Sequence, residues 1–254
     1  MIEKLKEHFK SIPKDAIPQL SVNCVIFGFK DKQLQVIVNE IEVESEKITV
    51  LPGGFIKQSE DLTETVERVV LESTGLSDIL FRQFAVFGKA DRSFAAEFNK
   101  ASWLEQEKEL IEWVSGRFIS ICYLALVDAS NIDLKPTQFL EAASWLPVNS
   151  GEILAMDHSE ILDNARDYLI RSLPHEPIES NLLTHEFTLP ELHALVEAIL
   201  NRSIDRPNFR RKILKSDRIE KVGVDATGKR RPADLYRFKE GNNTNVIQAF
   251  RLGF

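Results

Sequence analysis

The chain has 254 residues, 43% hydrophobic and 28% charged, with a formal net charge of −7. That length accommodates one large or two small domains. No apolar run approaches the ~18 residues a membrane helix needs, and the opening MIEKLKEHFK lacks the apolar core of a secretion signal, so a cytoplasmic protein is expected.

Residues 1–20 read as an N-terminal lead-in helix and extended stretch, punctuated by Pro13 and Pro18. Val22–Phe29 and Leu34–Val43 have strand character and flank the polar turn Lys30-Asp31-Lys32-Gln33. Ile48–Leu51 leads into the loop holding Gly53 and Gly54. Residues 60–76 fit an amphipathic helix with Ser59 as N-cap, Leu62, Val66, Val69 and Val70 inward, and Gly75 at the C-terminal cap. Leu80–Gly88, Phe118–Val127 and Trp145–Pro147 read as further strands, and Ser159–Ser172 as a helix with Ile161, Leu162, Ala165, Tyr168 and Leu169 on one face. Cys24 and Cys122 fall in predicted strands and read as small buried apolar residues, not as a disulfide or a metal pair. None of the five histidines has a metal-ligand or triad setting, and most are expected at the surface.

The spacing around the first helix is specific. Gly54 is followed after five residues by Glu60 and after seven more by Arg68, then by Glu72, Gly75 and Leu76. This frame resembles the Nudix box. Two family carboxylates are missing: Val69 stands where a Glu follows the Arg, and Ser73 where the second Glu of the pair belongs. Positions 69, 72 and 73 share one helix face, where the family clusters carboxylates around Mg²⁺ to split a diphosphate linkage. With Glu72 the only retained ligand, no metal site, no cofactor and no catalytic residue is expected. The resemblance implies a Nudix-like α/β/α sandwich over 21–173. Between Arg92 and Arg117 the chain carries a helix-prone insert with Trp103, Leu104, Leu110, Ile111 and Trp113, readable as a lid, a dimer surface or an embellishment.

Pro174 and Pro177 mark residues 174–186 as a linker. Residues 187–239 hold 13 Lys and Arg against 7 Asp and Glu, so a basic module of +6 joins a body of −13. Thr188 and Glu191 form a capping box ahead of the stripe Leu192, Leu195, Val196 and Ile199. A turn over 201–204 precedes a second helix with Asp205 as N-cap and Phe209, Ile213 and Leu214 inward. That leaves Arg206, Asn208, Arg210, Arg211, Lys212 and Lys215 outside. A hairpin follows, with Lys229, Arg230 and Arg231 at its tip. Helix, turn, basic helix and hairpin is the plan of a winged helix-turn-helix, here over 187–254.

Together, the altered box and the segments FTLPELHALVEAIL, RPNFRRKIL and RRPADLYRF resemble the Nudix-related transcriptional regulators. That resemblance implies a homodimer binding palindromic double-stranded operator DNA and a sandwich that senses a small-molecule effector of nucleotide-sugar type, ADP-ribose in the best-known branch. Phe55, Arg68, Glu72, Asp91, Arg92 and Arg117 are the expected effector residues. For the three arginines the competing role is internal ion pairing, favoured for Arg68. The insert, and Asn39-Glu40 where relatives often carry a basic residue, leave a neutral sugar or another metabolite as the alternative ligand. The alternatives are an active Mg²⁺-dependent hydrolase of nucleoside diphosphate derivatives, and a non-catalytic module binding RNA or protein through its basic part.

Overall fold

The computed structural model describes residues 13–43, 46–93, 107–132, 134, 143–172, 182–225 and 232–239. They form two compact units, drawn from 1–26, 36–125 and 133–165, and from 27–35, 126–132 and 166–254.

A seven-stranded sheet is built on β1 (Ala16–Lys30). Its neighbours are β2 (Gln33–Val43), β3 (Glu46–Val50), β4 (Gly53–Lys57), β5 (Arg82–Phe87), β6 (Ile119–Val127) and β7 (Ala143–Pro147). The order is β3-β2-β1-β6-β5, with β4 also on β1 and β7 on β2. Val22, Cys24, Val25, Ile26 and Phe27 of β1 are all fully buried, as expected for a strand covered on both faces. The β1–β2 turn narrows to Asp31 and Lys32, both with left-handed backbone (φ 53° and 62°). That pairing matches the right-handed twist of a hairpin.

β1 starts earlier than the sequence predicts. Residues 13–15 are helical, and the extended stretch from residue 16 already belongs to the sheet, with Ala16 paired to Lys57 of β4. Pro18 is accommodated because the register shifts between Ala16 and Ser21, where the ladder needs no N–H from every residue. Residues 1–12 lie outside the described region.

Helix α1 (Leu62–Thr74) carries the box. Its N-cap is Asp61, not Ser59: the Asp61 carboxylate accepts from the Glu64 N–H and Glu64 reaches back to the Asp61 N–H, both at 3.0 Å. Gly75 ends the helix at φ 74°, the left-handed position that favours glycine. Val66, Val69 and Val70 are buried, whereas Leu62 is 38% exposed in the first turn, ahead of the sheet contact. Helix α2 (Lys108–Ser115) comes from the insert and buries Leu110, Trp113 and Val114. Residues 94–106, with Trp103 and Leu104, lie outside the described region. Helix α3 (His158–Ser172) buries Ile161, Leu162, Ala165 and Leu169.

The second unit holds the winged-helix elements. β8 (Phe187–Thr188) leads into α4 (Leu189–Leu200), followed by α5 (Arg206–Lys215), β9 (Ile219–Asp225) and β10 (Ala233–Phe238). Thr188 and Glu191 form the expected capping box, and Asn201 closes α4 in left-handed conformation. Asp205 caps α5 by accepting from the Asn208 N–H. The strands order β8-β10-β9, and Leu192, Leu195, Val196, Ile199, Phe209 and Ile213 are buried. Both helices thus turn their apolar stripes inward. Leu214 does not follow: it is 45% exposed.

Candidate effector site and nucleic-acid interface

The sheet sorts its ligand-facing residues by strand alternation. On β4, a methyl group placed on Gly54 would stand 2.7 Å from Val69 Cγ2, so this glycine permits α1 to lie directly on the strand. Gly53 and Phe55 belong to the opposite face. There Gly53 lies across from Asn23 and Phe55 across from Ser21.

Arg68 ties the box together on the α1 side. Its Nε and Nη2 donate to the two Glu60 carboxylate oxygens at 2.6 and 2.8 Å. Nη2 also donates to the Phe55 carbonyl at 2.9 Å, and Nη1 to Glu72 at 3.0 Å. The hydrogen bonds from Arg68 hold the Glu60 carboxyl below its ordinary pKa. The guanidinium therefore works as an internal clamp. The other half of that clamp is Glu60, which sequence spacing separates from Glu72.

The residues at the box's metal positions do not fit Mg²⁺. Val69 is 2% exposed and packed on Gly54. Ser73 is 5% exposed, its hydroxyl turned back to the Val70 carbonyl at 3.5 Å. Glu72 is engaged by Arg68. Among the described residues no group of three His, Cys, Asp or Glu side chains is placed to hold a metal ion.

Asp91, Arg92 and Arg117 form a second group. Arg92 is 7% exposed and forks onto Asp157 at 2.7 and 3.1 Å. Arg117 is exposed and donates to the Gly88 carbonyl at 2.7 Å. Asp91 is exposed in the turn before Arg92. A separate cluster holds the rings of Phe55, Trp113 and Phe118, with Phe55–Trp113 centroids 4.6 Å apart. A cavity of about 340 Å³ opens along α1 beside residues 76–81; of the six expected effector residues it is lined by Arg68 alone.

Beneath the Gly53 loop sits a polar chain with no signature in the sequence. His158 is fully buried, and its Nδ1 accepts the Leu51 N–H at 3.0 Å. The Asn23 amide lies 3.1 Å from Nε2 and accepts from the Ser120 hydroxyl at 2.5 Å. Burial pushes the His158 pKa down to about 4, so the imidazole is neutral at physiological pH. His193 is buried too, at 2.8 Å from the Ile204 carbonyl and edge-on to Phe209. Of the three described histidines, only His185 is exposed. Cys24 and Cys122 are free and buried, and burial drives both thiols well above their ordinary pKa.

In the second unit, α5 presents Arg206, Arg210, Arg211 and Lys215 as exposed side chains, with Asn208 and Lys212 half-buried. The Arg211 guanidinium donates to Asn208 Oδ1 at 3.0 Å, which orients both along the helix. The wing strands neutralise their own charges: Lys221 pairs with Asp234 and Arg237 with Glu220, each at 2.6 Å. Among the described residues, α5 therefore carries cations without acidic residues of its own. Lys229, Arg230 and Arg231 lie outside the described residues. No helix among the described residues is long and apolar enough to cross a membrane.

Comparison with known proteins agrees with this division. The NUDIX domain family matches residues 17–165, and the NrtR DNA-binding winged helix domain matches 180–238. The chain is 26% identical over 226 residues to the ADPR responsive transcriptional repressor NtrR of Acinetobacter baylyi, covering 87% of this chain and 82% of that one. It is similar to Shewanella oneidensis NrtR complexed with a 27mer DNA: 27% identity, 87% and 94% coverage, TM-score 0.60. A MutT/nudix family protein from Enterococcus faecalis shares the fold at 20% identity, with 94% and 93% coverage and TM-score 0.60.

Proposed function

Because this chain belongs to the NUDIX family and continues into an NrtR-type winged helix, we propose that it is an effector-responsive transcriptional regulator that binds palindromic double-stranded DNA as a homodimer. The observation that carries this reading is α5. It is the second helix of a helix-turn-helix, its Arg206, Arg210, Arg211 and Lys215 are exposed, and in the neighbouring wing strands Lys221 and Arg237 pair with acids. Such a helix enters the major groove, where Lys and Arg meet phosphates and Arg or Asn reads base edges. A two-fold dimer calls for half-sites spaced by whole helical turns. The Acinetobacter relative, described as an ADPR responsive repressor, and the Shewanella relative, crystallised on DNA, support the reading.

The sandwich, placed at 21–173 ahead of a linker at 174–186 and a DNA-binding domain at 187–254, acts as the sensor. Its ligand is of nucleotide-sugar type, with ADP-ribose the first to test. Binding shifts operator affinity only as far as the effector prefers one dimer geometry over another. The sandwich does not hydrolyse its ligand, because Val69 and Ser73 supply no carboxylate and Glu72 is held by Arg68. A regulator of this kind works in the cytoplasm.

The test is selection of bound fragments from the source genome, followed by anisotropy titration at two salt concentrations with and without ADP-ribose. A palindrome bound at least about a thousandfold more tightly than random DNA is expected. Binding with a steep salt slope and no sequence preference would overturn the regulator reading, since it needs only a basic surface. Mg²⁺-dependent cleavage of ADP-ribose would overturn the sensor-only reading of the sandwich.

A further inference from the structure

On the sheet face away from α1, apolar packing accounts for three rings and leaves two polar atoms unexplained. Trp113 meets Phe118 with centroids 5.0 Å apart, and Phe55 completes the cluster at 4.6 and 5.8 Å from the two. Trp113 is 7% exposed, whereas Phe55 stays half-buried at the rim. The Trp113 indole N–H and the Ser21 hydroxyl are buried without a hydrogen-bond partner among the described residues. Ser21 stands directly across from Phe55 in the β1–β4 ladder, so their side chains share a face. Leaving such groups unsatisfied is unfavourable, and native proteins seldom do so without a reason.

Two of the seven described non-glycine residues with left-handed backbone border the same place. Gln19 (φ 56°) donates its side-chain amide to the Trp113 carbonyl at 3.4 Å, and Met156 (φ 58°) packs on the cluster. Left-handed backbone at non-glycine residues is costly and concentrates at ligand sites. A half-buried aromatic ring, two unpartnered polar groups and two strained residues therefore coincide.

We propose that this cluster is the base-recognition subsite of the effector: a planar heteroaromatic ring stacks at Phe55, and its acceptor nitrogen takes the Trp113 indole N–H. The Ser21 hydroxyl serves a second polar atom of the same ring. Trp113 belongs to the insert, outside the box motif, and so selects the ligand independently of the residues that define the family frame. The inference rests on the effector reading above. The competing occupant is a buried water, which would use the same polar atoms without touching the ligand.

Calorimetric titration of the full chain with ADP-ribose tests it, using Trp113→Phe and Ser21→Ala. Trp113→Phe keeps an aromatic ring and removes the donor, so it spares the packing that Trp113→Ala would destroy. The expected result is ADP-ribose binding weakened roughly fivefold to tenfold by Trp113→Phe, with melting temperature and effector-free operator affinity unchanged. If the unaltered chain binds ADP-ribose and both variants bind it equally well, the subsite is overturned while the sensor reading stands. If the unaltered chain does not bind ADP-ribose, ADP-ribose falls as the effector and the subsite argued for it falls with it. Loss of operator affinity alongside effector affinity would show a structural role only, and would also overturn the subsite.

Discussion

His158 makes the sandwich acid-sensitive in a defined window. Burial lowers its pKa from an ordinary 6.5 to about 4. The unfolded chain therefore takes up a proton that the folded chain refuses, and stability is fully present above pH 6.5 and declines as pH falls toward 4. A shift of that size corresponds to about 2 kcal/mol lost by pH 5 and about 3 kcal/mol by pH 4. Carboxylates with lowered pKa, such as Glu60, contribute stability that is lost mainly below their ordinary 4.5, beneath this window. The perturbation is His158→Asn, whose amide oxygen can still accept the Leu51 N–H that now reaches Nδ1 at 3.0 Å. The three tryptophans, Trp103, Trp113 and Trp145, all precede residue 166, so their emission during urea unfolding follows the sandwich and not the winged helix. The variant is less stable at pH 7.5, by the packing it loses. Between pH 7.5 and 5, however, it should lose about 2 kcal/mol less than the unaltered chain. Equal losses in the two proteins would refute the assignment of acid sensitivity to this imidazole.

Gly54→Ala should destabilise the sandwich by about 1–3 kcal/mol, because the added methyl meets Val69 Cγ2 at 2.7 Å. Val69→Ala should relieve that clash, so the double variant costs less than the sum of the singles by more than about 0.5 kcal/mol in urea unfolding; simple additivity would dismiss the clash. Neutralising Arg210 and Arg211 together should lower operator affinity and flatten the salt dependence by about one unit of slope for each phosphate no longer neutralised, and an unchanged slope would remove α5 from the phosphate backbone. Leu214 is exposed on α5 between Arg211 and Lys215, and with α5 in the major groove an apolar side chain there is expected to meet a thymine methyl. Leu214→Ala should leave stability within about 0.5 kcal/mol and weaken the preference for one thymine by roughly 1 kcal/mol in competition titrations; an identical base preference would count against that role.

Local signals are legible where one short-range interaction decides the outcome. Thr188, Glu191 and Asp205 cap their helices as their spacing predicts, because a cap needs only the geometry of the first turn. At the box helix, two caps compete. Asp61 prevails over Ser59 because it has Glu64 three residues on to complete the box, while the intervening Glu60 is drawn to Arg68. Leu214 escapes the inward stripe because i and i+5 do not share a face. Five residues advance a helix by about 500°, which puts Leu214 on the flank away from Phe209. The buried histidines are not legible, because their partners, the Leu51 N–H, Asn23 and the Ile204 carbonyl, are assembled by the tertiary fold.

The box shows why a motif's frame and its chemistry can separate. Its glycine, its Glu60–Arg68 pair and its C-terminal Gly75 are structural: one permits helix–strand contact, one clamps the helix to the Phe55 carbonyl, and one ends the helix. None of these requires a carboxylate at 69 or 73. In place of those carboxylates, Val69 packs against Gly54 and Ser73 satisfies its hydroxyl within the helix. Glu72 pairs with Arg68, and the i, i+4 contact strengthens the helix. The contacts that hold the box helix to its strand are thus separate from the positions at which a hydrolase presents its carboxylates, so the frame can persist while residues 69 and 73 change.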